Sequence, residues 1–276
     1  MSTHEQPAAP GQCSRRSVVR GTVAVAGGVL LGGAVDLGLA APVHAGPAGF
    51  PVYNRKEWGA RPYRRRAQVL DNGPTHIVVH HTATANSTNY SKEHAFELSR
   101  SIQRYHMRAN RWDDTGQHLT ISRGGVVMEG RNGTLPAIRR GGHVLGAHTA
   151  NHNSHTIGIE NEGTYTSALP TTELLNALVE TCAWLCVAYG LNPSLAIVGH
   201  RDYNATACPG DQLYAMLPQL RTDVGARLAR LETRLAQLGA EDIAEEQWPS
   251  YPDVPTGERS VPFEHGPGIG HDDLTL

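Results

Sequence analysis

The stretch His76-Ile77-Val78-Val79-His80-His81-Thr82, HIVVHHT, is a short β-branched run that ends in two histidines. The turn signal Asn72-Gly73-Pro74 precedes it. Such a run reads as a buried strand. Open α/β sheets carry their chemistry at the carboxyl ends of strands. His80 and His81 therefore stand where a site is expected.

A second such end lies late in the chain. Leu195, Ala196, Ile197 and Val198 form an apolar run that reads as a strand delivering His200 to the loop GHRDYNATACPGD, Gly199 to Asp211. Cys208 follows eight residues after His200, and Pro209-Gly210 signals the turn that ends the loop. One imidazole and one thiol are half of a zinc site. His80 supplies a second imidazole, and three protein ligands leave a fourth position for water. Zinc held by a thiolate and two neutral imidazoles keeps net positive charge, polarises a carbonyl and lowers the pKa of its water. Each residue alone reads more simply as structural. The combination of HHT after one apolar strand and H-x7-C-P-G after another points to a metal.

Between these ends the chain alternates. Asn89-Tyr90-Ser91 opens a helix with Ala95, Leu98, Ile102, Tyr105 and Met107 on one side, and Ser91 with His94 is a weaker start than a full capping box. Gln117 to Ser122 and Val126 to Gly130 flank Arg123-Gly124-Gly125 as a β-hairpin. His143 to Asn153 reads as loop. His155 to Gly163, HTIGIENEG, reads as a strand with Ile157, Ile159 and Asn161 on one face and Thr156, Gly158, Glu160 and Glu162 on the other. Thr171 or Thr172 then caps an amphipathic helix to about Ala188, and helices are expected from about Gln212 and from about Pro218 to Leu238. This order predicts a single α/β domain with a central mixed β-sheet flanked by helices. The expected divisions are a leader at 1–45, the zinc-site domain at 46–220, a C-terminal helix at 221–239 and a tail at 240–276. The tail is acidic and Pro/Gly-rich, a composition that favours disorder.

Ser14-Arg15-Arg16-Ser17, the apolar run Gly21 to Ala41 and Val43-His44-Ala45 form a twin-arginine leader pattern. It predicts secretion, or delivery to the cell wall or periplasmic space, with no stable membrane insertion after cleavage. The 276 residues carry a net charge of −2, which argues against nucleic acid as a partner. Of four cysteines, cleavage would remove Cys13. Cys182 and Cys186 fall within the apolar helical pattern and read as buried thiols. Cys208 remains as the one with chemistry. Arg64-Arg65-Arg66 reads first as a solvated loop, with an anionic polymer as the alternative partner. The chain lacks the P-C-x-x-C of zinc deaminases and the G-x-S-x-G of serine hydrolases.

VVHHTAT, DTGQHLTISRGG, GAHTANHNSHTIGIENEG and GHRDYNATACPGD together resemble the type 2 N-acetylmuramoyl-L-alanine amidases, a superfamily that includes the peptidoglycan recognition proteins. EWGARP, Glu57 to Pro62, resembles the segment that opens recognition-protein domains. The resemblance spans about residues 54–220. It implies a mixed sheet with helices on both faces, zinc held by His80, His200 and Cys208, and cleavage of the amide between N-acetylmuramic acid and L-alanine in peptidoglycan and muropeptides by a monomer. It implies Glu160 as catalytic base, from the glutamate that anhydromuramyl amidases place in IGIE-x-EG. Thr206 falls where relatives carry an oxyanion-binding lysine or threonine. His148, Gln117 and His81 match positions around the substrate. Gln117 is a departure, because phage-type and recognition-protein enzymes carry tyrosine there, and glutamine cannot transfer a proton usefully at neutral pH. A non-catalytic binder is the alternative, against which the retained Cys208 speaks.

Overall fold

A computed structural model describes residues 51–238. The expected leader and tail lie outside them. In chain order the elements are β1 (Val52–Tyr53), β2 (Val69–Leu70), β3 (His76–His81), α1 (Lys92–Arg108), β4 (Leu119–Ile121), β5 (Val127–Glu129), α2 (Thr134–Arg139), β6 (His143–Val144), β7 (Thr156–Asn161), α3 (Thr172–Tyr189), α4 (Pro193–Ala196), β8 (Ile197–Gly199), α5 (Asp211–Ala215) and α6 (Leu217–Leu238). Six strands form one sheet in the order β1-β5-β4-β7-β3-β8, and β2 pairs with β6 beside it. The β4–β5 hairpin is antiparallel and the other pairings in the large sheet are parallel, so the sheet is mixed, as expected.

Strand register sorts the side chains into two layers. Ile77 pairs with Ile157 and Ile197, Val79 with Ile159, and Ile159 with Leu119. These residues share one face, since neighbours in register point the same way. They join Leu174, Leu178 and Leu185 of α3 and Leu217, Leu220 and Val224 of α6 in the main apolar core. Cys182 and Cys186 lie in that core as free thiols. On the opposite face Met128 packs with Trp58 and Ala95 of α1, and further along come Thr120, Glu160 and His80.

Local chemistry accounts for the helix ends. Ser91 Oγ accepts from His94 N at 3.2 Å, and Thr171 Oγ1 accepts from Leu174 N at 3.3 Å. Each satisfies one of the amide groups that a first helical turn leaves without a partner. The structure corrects three expectations. Tyr105 and Met107 are only half-buried on α1, whose inner face instead includes Gln103 and His106. Those two polar residues are buried because each is bonded there: Gln103 Nε2 donates to Asp114 Oδ1, and His106 Nδ1 accepts from Gly116 N. The strand before His200 starts at Ile197, because Asn192 caps a helical turn over Pro193–Ala196. The expected loop at 143–153 begins with β6, and α2 intervenes before it. Among the described residues no helix is long and apolar enough to cross a membrane.

Candidate metal centre

β3 ends at His81, and β8 runs parallel beside it, so the next residue after β8, His200, arrives next to His80. Their rings lie 4.5 Å apart. The loop from His200 then turns back to bring Cys208 to the same place. Arg201 clamps it, with Nε donating to Cys208 O at 3.4 Å and Nη1 meeting Asp211 Oδ1 at 2.7 Å. Gly210 completes the turn at φ 87°, where a Cβ would lie 2.4 Å from the Tyr165 carbonyl carbon, so only glycine fits.

One donor atom from each of His80, His200 and Cys208 falls within 4.8 Å of the others. All three residues are buried, at 2%, 1% and 0% exposure. Tetrahedral zinc would hold such atoms roughly 3.3–3.6 Å apart, and Cys208 Sγ lies 3.7 Å from His80 Nδ1. The chemistry of the donors fits as well. His81 N donates to Cys208 Sγ at 3.4 Å, which favours a thiolate. Burial, then the neighbouring His200, His148, His81 and His118, hold the His80 pKa well below the usual imidazole value, so the ring stays neutral with a lone pair to offer. The three residues could therefore hold a metal ion.

Hydrogen bonds assign the nitrogens. His200 Nε2 meets Asn204 Oδ1 at 3.1 Å, so Nδ1 is the nitrogen able to turn a lone pair toward the cluster. His80 Nε2 meets His148 Nδ1 at 3.0 Å. Written as neutral rings, His80 donates there and keeps Nδ1 for the metal. The proton of His148 then sits on Nε2, a buried donor with no partner among the described residues. Asn161 Nδ2 donates to His80 O at 2.8 Å and holds the backbone of the strand end.

The remaining expected site residues divide. Glu160 pairs in register with His80 on one side and Thr120 on the other, so all three share a face. Thr206 Oγ1 accepts from Cys208 N at 3.1 Å. His148 is 4% exposed and backs His80, and its ring packs on Gly158, where a Cβ would come within 2.5 Å of Nδ1. Gln117 is 1% exposed. Its Nε2 donates to Thr120 Oγ1 at 2.9 Å, while its Oε1 is buried with no partner among the described residues. His81 alternates to the apolar face, where its Nδ1 accepts from Tyr165 N at 3.3 Å. Asn204, Asn161, Thr120 and His118 join the site without standing out in the sequence as site residues. Asn204, four residues after His200 inside the ligand loop, carried a signal in its spacing; the others depend on strand register.

The family model described as N-acetylmuramoyl-L-alanine amidase matches residues 70–211. Human N-acetylmuramoyl-L-alanine amidase is 36% identical over 183 residues, which are 65% of this chain and 30% of that protein. The chain thus spans about 30% of the length of the mammalian amidases it matches. Peptidoglycan recognition protein 1 of Bos taurus is 32% identical over 169 residues, 61% of this chain and 83% of that one. Among solved structures, wild-type Drosophila peptidoglycan-recognition protein LB superposes with a TM-score of 0.52 at 26% identity, covering 60% of this chain and 91% of that one. A variant of that protein has been solved in complex with tracheal cytotoxin.

Proposed function

Because the chain belongs to the N-acetylmuramoyl-L-alanine amidase family, we propose that it is a zinc-dependent enzyme cleaving the amide between N-acetylmuramic acid and L-alanine in peptidoglycan. The observation that carries the reading is the buried His80, His200 and Cys208 cluster with Glu160 one strand away in register. Zinc held there would supply Lewis acidity, polarising the scissile carbonyl and acidifying a water. Glu160 takes the proton of the attacking water and returns it to the departing amine of L-alanine. Thr206 already accepts from Cys208 N, so its own O–H can donate to the oxygen that gains charge. His148 holds His80 in the ligating tautomer. Gln117 orients Thr120 beside Glu160 rather than moving a proton. The twin-arginine pattern supports export to the wall, and the protein acts there as a monomer.

The test is release of L-alanine peptides from purified muropeptides by the full chain, abolished by a chelator and restored by Zn2+. Cys208→Ser should lose both bound zinc and turnover, since a hydroxyl stays protonated where a thiol ionises. Tight muropeptide binding without release would favour a second reading, a recognition module, which Gln117 in place of the family tyrosine and the similarity to recognition proteins support.

A further inference from the structure

Away from the metal cluster, the segment 61–64 lies against the carboxyl-terminal end of α1. Gln103 staples it there: Arg61 N donates to Gln103 Oε1 at 2.8 Å, and Gln103 Nε2 donates to Arg61 O at 3.0 Å. Arg64 N donates to Asp113 O at 2.8 Å, and Arg64 Nη1 donates to Arg111 O at 3.0 Å. Between segment and helix is a cavity of about 470 Å³ lined by Arg61, Pro62, Arg64, Arg104, Met107 and Arg108. It shares no lining residue with the metal cluster.

Four arginines line this space, and none of them forms an ion pair among the described residues. Arg104 and Arg108 are one turn apart on α1, a like-charge spacing that disfavours the helix. The chain has 26 acidic residues and a net charge of −2, yet none of these carboxylates lines the cavity. Guanidinium forks match the oxygens of a phosphate in pairs. The cavity is larger than one oxyanion requires. Pro62 and Met107 add apolar surface that would suit carbon linkers between successive phosphates.

We propose that this pocket binds a phosphodiester-linked polyol polymer, an anionic chain of the cell wall. The choice of a wall polymer rests on the proposed peptidoglycan function; the preference for phosphodiesters rests on the four arginines alone. Binding of a fluorescent poly(glycerol phosphate) oligomer to the full chain tests this, with phosphatidylglycerol vesicles and inorganic phosphate as parallel probes. The oligomer should bind, and Arg104→Gln with Arg108→Gln should weaken it by at least about ten-fold. The slope of log affinity against log salt should also become shallower, because fewer phosphate contacts release fewer counterions. Arg140→Gln with Arg230→Gln, two exposed arginines outside the pocket, should leave it unchanged. Muropeptide turnover should be equal in all these variants, so failure here and failure of the amidase reading are separate results. Equal binding by the Arg104/Arg108 variant, an equal loss in the control pair, binding to vesicles only, or phosphate binding as tight as the oligomer would each overturn the proposal.

Discussion

On one face of β7, Ile157 and Ile159 close an apolar layer beneath α3 and α6; on the other, Gly158 and Glu160 stand with His148, Thr120 and His80. Both layers belong to one strand six residues long. The apolar layer is held by buried area, which is non-directional and tolerates exchange if volume is kept. The polar layer depends on a few directional hydrogen bonds: Gln117 with Thr120, His80 with His148, and His200 with Asn204. Stability should therefore reside mainly on one face and activity on the other, one residue apart along the chain.

Adjacent substitutions can break that contrast. Glu160→Gln should lower muropeptide turnover by about 10³-fold while keeping zinc and shifting stability by less than about 1 kcal/mol. Normal turnover would move the base elsewhere. Ile159→Ala, its neighbour, should cost about 3 kcal/mol in urea unfolding by leaving a cavity, with the turnover of the folded fraction retained. If both variants lost activity and stability together, the two layers would be one cooperative unit.

An acid titration sharpens the contrast. His118 accepts from Gly158 N through Nδ1 and donates to Val144 O through Nε2, so both nitrogens are satisfied only in the neutral ring. Burial pushes its pKa from 6.5 to about 3. Between those values the unfolded chain binds the extra proton. The stability due to the neutral ring is complete above pH 6.5 and is lost as pH falls toward 3. From pH 6.5 to 4.5 the loss should be roughly 2–3 kcal/mol. His118→Gln, which offers one acceptor and one donor, should flatten that slope in urea titrations. The smallest expected effect is at Asn204→Ala, which should weaken zinc binding by about ten-fold while leaving the urea midpoint in place. Unchanged zinc affinity would mean that packing alone orients His200.

Much of the fold is legible residue by residue. β-Branched runs, period-two alternation in HTIGIENEG and the caps at Ser91 and Thr171 are local signals, because each depends on side chains within a few positions. The short elements are less legible. β2 and β6 have two residues each and are strands only because they meet each other. The start of β8 is hidden in the sequence, because the apolar run conceals the turn that Asn192 caps.

The sequence by itself determined which donors are available: two histidines and a cysteine at strand-end and loop positions, a carboxylate of fixed parity, and a rigid CPG turn. Only the tertiary structure decided which of them meet. Setting His80 beside both Glu160 and His200 needs the parallel register of β7, β3 and β8, and parallel partners are joined by crossovers too long for local patterning to encode. The burial of His148 and the convergence of Arg61 and Arg64 with Arg104 and Arg108 are likewise set by tertiary contacts. A side chain's chemistry is intrinsic to it, whereas its neighbours are set by packing summed over the whole core.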